Sequence, residues 1–130
     1  MSRPALSRIL LVEDDPDIRE IAEMALGAVG GFDVLACGTG GEALRRLGEF
    51  DPQLAVVDVM MPGMDGPGLL AALRERADTR ALPIVFMTAK VQPEELARWR
   101  SLGAAHVVAK PFDPMKLADR LREVWSALHD

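Results

Sequence analysis

Four short apolar runs in this sequence end on residues that can do chemistry. Ile9-Leu10-Leu11-Val12 ends in Glu13-Asp14-Asp15, and Leu54-Ala55-Val56-Val57 ends in Asp58. Ile84 to Met87 ends in Thr88, and Val107-Val108-Ala109 ends in Lys110. A further run, Val34-Leu35-Ala36-Cys37, ends in the neutral Cys37-Gly38. Carboxylates of Asp14 and Asp58 on neighbouring strand tips, about 4.8 Å apart, would repel each other. A hard divalent cation removes that conflict, and an all-oxygen donor set points to Mg2+, which keeps several waters. A partly wet metal can also accept a phosphoryl oxygen, while Lys110 and Thr88 hold the others as a point charge and a hydroxyl donor. Such a set suits phosphoryl transfer, where positioning and charge neutralisation do most of the work. Asp58 is the central nucleophile candidate. Singly, each residue has a plainer reading. Asp15 suits a helix N-cap, Glu13 and Asp14 suit solvated strand ends, Lys110 suits a surface beside a turn, and Thr88 suits a helix start. Their coincidence on one edge favours a site.

That edge exists only if the runs are neighbouring strands. The apolar period switches repeatedly along the chain. Wholly apolar runs suit strands buried on both faces. Between them, Ile18, Ile21, Ala22, Ala25 and Val29 fall at helical spacing, with Asp15 as N-cap, Pro16 at the first helical position and Gly30-Gly31 as the stop. Thr39 and Glu42 form a capping-box pattern ahead of Ala43, Leu44 and Leu47. Gly66-Pro67 opens a third helix with Leu69, Leu70 and Leu73. Pro93-Glu94-Glu95 starts a fourth that Gly103 stops. Asp113-Pro114 caps a last helix whose buried face would be Leu117, Leu121, Val124, Trp125 and Leu128. Five strands alternating with five helices imply right-handed βαβ units and a parallel sheet covered on both faces. The expected fold is a flavodoxin-like, doubly wound, three-layer α/β/α domain with strand order 2-1-3-4-5. Its ligand crevice lies beyond the carboxyl ends of strands 1 and 3, where the order reverses.

Composition agrees and narrows the classes. The 130 residues make one domain's worth of chain, 49% hydrophobic and 27% charged, which suits a soluble globular core. A single cysteine, Cys37, excludes a disulfide framework and a thiolate metal site. No apolar run approaches the roughly 20 residues of a membrane span. The N-terminus lacks a signal-peptide core, leaving the cytoplasm as the expected compartment. A net charge of −5 argues against direct nucleic-acid binding.

Taken together, these segments resemble the receiver domain of two-component response regulators, the CheY-like family. The segments that carry the resemblance are Ile9 through Pro16, Val57-Asp58-Val59-Met60-Met61-Pro62-Gly63-Met64-Asp65-Gly66, Met87-Thr88-Ala89 and Lys110-Pro111-Phe112. It covers roughly Arg8 to Leu128, so the whole chain, 1–130, reads as a single receiver with no output domain. The resemblance implies that Asp58 is the phosphoacceptor, charged by a sensor histidine kinase or a histidine phosphotransfer protein. It implies that Asp14, Asp58 and the Met60 carbonyl bind Mg2+, with Glu13 acting through water. Thr88 and Lys110 would close on the phosphoryl group, and the Lys110–Pro111 bond would be cis. The output would be a switched protein-contact surface for a downstream target, in a monomer or weak dimer that is a signalling switch rather than an enzyme. Met60 and Lys90 stand where the family tunes hydrolysis.

The chain also departs from the family pattern. Val107 stands where many relatives place Tyr or Phe, and Ala105-His106 replaces an Asp-Asp pair linked to dimerisation. His106 and His129 read as surface and tail residues, Trp99 and Trp125 as packing, and Cys37 as a buried small hydrophobe. An aspartate-nucleophile phosphatase is the first alternative, disfavoured because Met60 occupies the position of its general acid. A flavin module would need a hydroxyl-rich phosphate loop where Glu13-Asp14-Asp15-Pro16 stands. A degenerate, docking-only receiver is disfavoured by the full set of site residues.

Overall fold

The computed structural model describes residues 4–129. The elements run β1 (Arg8–Val12), α1 (Pro16–Met24) continued by a π-helical turn (Ala25–Val29), β2 (Asp33–Cys37), α2 (Gly40–Phe50), β3 (Leu54–Asp58), α3 (Gly66–Glu75), β4 (Ile84–Thr88), α4 (Pro93–Ser101), β5 (His106–Ala109) and α5 (Leu117–His129). All pairings are parallel and the order is β2-β1-β3-β4-β5, as the alternation predicts.

The strands are apolar on both faces because both faces meet helices. Leu10, Val12, Val57, Ile84 and Phe86 share one core with Leu47 of α2, Leu69 and Leu73 of α3, and Trp99 of α4. Ile9, Leu11, Val56, Val85 and Met87 share the other with Ala22 of α1, Leu26 of the π turn, and Leu117 and Leu121 of α5. The two-residue period of a strand thus divides one sheet between two cores.

The same alternation aims the strand tips. Val12 pairs with Val57, Asp58 with Met87, and Thr88 with Ala109. Glu13 and Lys110, one residue further on, therefore emerge beside Asp58 and Thr88. Continuing the alternation, Glu13, Asp58 and Lys110 fall on the face covered by α1 and α5, after Leu11, Val56 and Val108. Thr88 follows Phe86 onto the face covered by α2, α3 and α4. Ion-pairing groups and hydroxyl are sorted by parity alone.

Local signals set the helix starts. The Asp15 carboxylate accepts from Asp17 N at 2.9 Å and Ile18 N at 3.2 Å, as an N-cap should. Thr39 Oγ1 accepts from Glu42 N at 3.0 Å. The Glu42 carboxylate reaches Gly38 N at 2.9 Å, one residue before the N-cap that a standard capping box would serve. Asp65 Oδ1 caps α3 through Gly68 N at 2.8 Å.

The first and last helices differ from the sequence pattern. Ile21 and Val29 were expected on the buried face of α1 but are exposed, and Leu26 is buried instead. For Val29 the cause is the π turn, in which Gly30 N bonds back five residues to Ala25 O at 3.1 Å. That wider turn rotates every later side chain relative to a 3.6-residue period. Ile21 lies before that turn, in the regular part of α1, where Ala22 takes the buried position. At the other end, Asp113 starts a turn rather than α5 itself. Its carboxylate accepts from Met115 N at 2.9 Å, and α5 begins at Leu117. Leu117, Leu121 and Val124 are buried as expected, Trp125 is half-buried, and Leu128 is exposed.

Candidate functional site

Burial separates the acids that sequence treats alike. Glu13 is fully buried and Asp58 nearly so, while Asp14 stays partly exposed. The solvated strand-end reading therefore fits Asp14 alone. Thr88 is buried as well. Glu13, Asp14 and Asp58 each present a carboxylate oxygen, and these oxygens lie within 4.8 Å of one another.

Lys110 holds the two buried acids together. Its Nζ lies 2.6 Å from Glu13 Oε1 and 3.0 Å from Asp58 Oδ1. The approach to Oε1 is an ion pair not directed as a hydrogen bond. That oxygen is the buried side-chain atom left without a hydrogen-bond partner among the described residues. Glu13 Oε2 accepts from Asp15 N at 3.2 Å. Burial pushes the Glu13 carboxyl up to about 7, aided by the nearby charge of Asp58 and opposed by Lys110. Burial also works against the Lys110 ammonium, but its contacts with Glu13 and Asp58 outweigh it and raise the group. Burial thus disfavours the charged form of Glu13, and the Lys110 ammonium is the group that opposes this.

An all-oxygen trio of carboxylates, with oxygens within 4.8 Å of one another, suits a hard divalent cation. Met60 lies two residues past Asp58 with its side chain exposed, and its carbonyl accepts no hydrogen bond from the described residues. Thr88 Oγ1 accepts from Lys90 N at 3.0 Å and stands on the opposite face from the ion pairs. The Lys110–Pro111 bond is cis, as expected. Val107 is half-buried against the core beneath α4, so β5 brings no aromatic ring to Thr88. Cys37 and Trp99 are buried packing residues. The His129 ring lies against Trp125, with centroids 4.1 Å apart and the planes tilted by 47°.

Two supporting residues escaped the sequence reading. Arg19 Nη1 donates to Glu13 O at 2.9 Å and to Asp14 O at 3.5 Å, bracing the acidic loop from α1. Nothing in an arginine one turn into a helix signals carbonyls upstream of the cap. Gly66 packs where a Cβ would stand 2.9 Å from Asp58 O and from Val59 Cα, and its N–H donates to Val59 O at 3.0 Å. The Asp65-Gly66-Pro67 segment reads as a helix start and conceals that close approach.

Comparison with known proteins agrees with the geometry. The model of the response regulator receiver domain matches residues 9–122. The chain belongs to the response regulator receiver family. This receiver is 39% identical over 115 residues to the DNA-binding response regulator MtrA of Mycolicibacterium smegmatis, covering 88% of this chain and 49% of that protein. It is 37% identical over 117 residues to "Probable transcriptional regulator ycf27" of Porphyridium aerugineum, covering 90% and 47% respectively. The receiver thus spans about half the length of the curated relatives it matches. Among solved structures it resembles the Vibrio cholerae chemotaxis protein CheY4, with a TM-score of 0.84 and 29% identity over 92% of this chain and 99% of that one. A response regulator from Desulfuromonas acetoxidans gives a TM-score of 0.82 and 27% identity, over 94% and 98%. No helix of the described residues is long and apolar enough to cross a membrane.

Proposed function

We propose that this receiver takes a phosphoryl group onto Asp58 from a sensor histidine kinase or a histidine phosphotransfer protein, in a Mg2+-dependent reaction, and thereby switches a protein-contact surface. The observation that carries this reading is the Lys110 ammonium bridging Glu13 and Asp58 beside the partly exposed Asp14. Asp14, Asp58 and the Met60 carbonyl would hold Mg2+ directly, with Glu13 through water. When bound, the ion supplies charge neutralisation for the incoming phosphoryl oxygens. Asp58 Oδ attacks phosphorus in line. A mixed anhydride forms, the P–N bond of the phosphohistidine breaks, and its electron pair stays on the imidazole nitrogen, which takes a proton. Lys110 balances negative charge on the transferred oxygens, and the Thr88 hydroxyl donates to one of them.

The donor needs a landing place beside Asp58. An apolar groove lined by Ile18, Ile21, Ala89, Pro111 and Phe112 has Lys110 in its wall. Exposed Ile21 suits burial against the helix that carries the donor histidine. On this reading the receiver acts as a signalling switch in the cytoplasm, monomeric or weakly dimeric, rather than as an enzyme turning over small molecules.

The test is incubation with acetyl phosphate or phosphoramidate and Mg2+, followed by intact mass and hydroxylamine treatment. One hydroxylamine-labile phosphoryl adduct is expected, lost in Asp58→Asn. No adduct overturns the reading, and an adduct surviving in Asp58→Asn overturns the choice of acceptor. Turnover of a generic phosphomonoester would favour the phosphatase alternative.

The half-length match to MtrA, named as DNA-binding, favours a second reading of the output. In it the receiver governs a DNA-binding partner region, while its own net charge of −5 keeps it off the DNA. Immunoblotting the natural chain in a lysate decides between a protein of this size and one about twice as long.

A further inference from the structure

Lys90 is gripped from two sides. Its backbone N–H donates to Thr88 Oγ1 at 3.0 Å, and its carbonyl accepts from the indole N–H of Trp99 at 3.3 Å. Trp99 belongs to α4, is buried, and meets Phe86 edge-on with ring centroids 5.9 Å apart at 90°. Phe86 precedes Thr88 by one step on the same face of β4. The indole therefore lies along the row of side chains that ends in the Thr88 hydroxyl. Gln92, the N-cap of α4, makes no side-chain capping hydrogen bond. The indole bond to Lys90 ties that helix back to the loop following Thr88.

We propose that Trp99 is the positioning residue through which the state of Thr88 reaches α4. This rests on the phosphoacceptor reading above. In the structure the Thr88 hydroxyl oxygen accepts from Lys90 N, and strand parity sets Thr88 on the face opposite Asp58 and Lys110. In this relay the hydroxyl turns about χ1 to another staggered position to donate to a phosphoryl group on Asp58. That turn removes the acceptor from Lys90 N. The loop is then held only at the Lys90 carbonyl, by a bond that is already long. The peptide reorients, the indole loses or exchanges its partner, and the uncapped first turn of α4 shifts. Val107 on β5 is too small to act as the reporter, so the tryptophan on α4 takes that place.

The experiment uses the full chain carrying Trp125→Phe, so that Trp99 is the sole emitter. Trp125 lies away from the site, with its indole N–H on Pro4 O. Beryllofluoride with Mg2+ serves as the phosphoryl mimic. Occupancy is read by fluorine NMR, independently of emission, and amide exchange is followed across residues 94–97. With the site occupied, Trp99 emission should shift and exchange in the first turn of α4 should rise about fivefold, the effect of one hydrogen bond on local opening. Trp99→Phe keeps a ring but loses the N–H. It should bind the mimic equally well, with α4 exchange already high and unchanged on occupancy. Full occupancy with unaltered Trp99 emission and unaltered α4 exchange would overturn the relay. A response that persists in Trp99→Phe would do so as well. Absence of any fluorine signal from the bound mimic counts against the phosphoacceptor reading instead, which keeps the two failures apart.

Discussion

Lys110 Nζ sits 2.6 Å from Glu13 Oε1, the buried carboxylate oxygen that lacks a directed hydrogen bond. The ammonium is thus a structural counterion before it meets any phosphoryl group. Without it, Glu13 and Asp58 would face each other across adjacent strand tips with no cation between them.

Lys110→Ala should therefore cost stability as well as switching. Breaking a buried pair costs about 3–5 kcal/mol when the remaining charge is trapped. Here Glu13 can escape by taking a proton and Lys110 is partly exposed, so about 2 kcal/mol is expected at pH 8. Urea denaturation checks it. The loss should shrink at pH 5, where Glu13 holds its proton. It should also shrink with added Mg2+. A loss independent of both would mean that the lysine stabilises through its aliphatic stem alone.

Glu13 also makes metal binding depend on pH. Its carboxyl rises from an ordinary 4.5 to about 7 on folding. The folded state therefore holds the proton more tightly than the unfolded chain. That contribution to stability is complete below 4.5 and is lost as pH rises through 7. A divalent cation competes with the same proton. Mg2+ affinity should climb with pH, approaching about tenfold per unit below 7 and levelling above it. Calorimetric titration across pH 5.5 to about 8.5 reads the slope, and Glu13→Gln should flatten it.

Gly66 is where the acceptor strand is most sensitive to one methyl group. An added Cβ would meet Asp58 O and Val59 Cα at 2.9 Å, and both are backbone atoms that cannot swing aside. Gly66→Ala should cost about 1–2 kcal/mol by overpacking, beyond any helix-propensity gain. Because the strain bears on Asp58 itself, the rate of adduct formation from acetyl phosphate should fall too. Thermal denaturation and adduct mass measure the two effects separately. Unchanged values for both would show that the loop relaxes freely.

Much of this arrangement was legible beforehand, for a definite reason. Wholly apolar runs ending in Glu13, Asp58, Thr88 and Lys110 carry strand identity and tip chemistry in the same few residues. The parallel order then leaves them no place but one edge. Less legible was whatever depends on contacts between distant segments. Glu13 and Asp14 are neighbouring acids in sequence, yet one is buried under Lys110 and the other is partly exposed. Val29 fits a helical stripe that the π turn rotates out of the core, and Ile21 fits the same stripe yet lies exposed beside the buried Ala22. The bracing of Glu13 O by Arg19 and the grip of Trp99 on Lys90 are side-chain-to-backbone bonds. Residue spacing carries no trace of them.

Arg122 offers a comparison far from the acceptor. Its guanidinium lies 4.5 Å from the centre of the Phe32 ring, and Nη2 donates to Gly30 O, the residue that ends the π turn. Gly30 itself packs so closely on α5 that a Cβ there would meet Ala118 Cβ at 2.5 Å. Arg122 thus clamps the irregular end of α1 onto α5. The side chain is about half exposed and its ion pair with Asp119 is on the surface, so that pair contributes little. The ring contact adds about 0.5–1 kcal/mol and the hydrogen bond a similar amount. Arg122→Ala should lower stability by about 1 kcal/mol in urea. Its phosphoryl-adduct yield and its Mg2+ affinity should equal those of the parent chain. A variant with normal stability but altered Mg2+ affinity would show that the α1–α5 clamp reaches the acidic loop through α1, and that Arg19 transmits its position to Glu13.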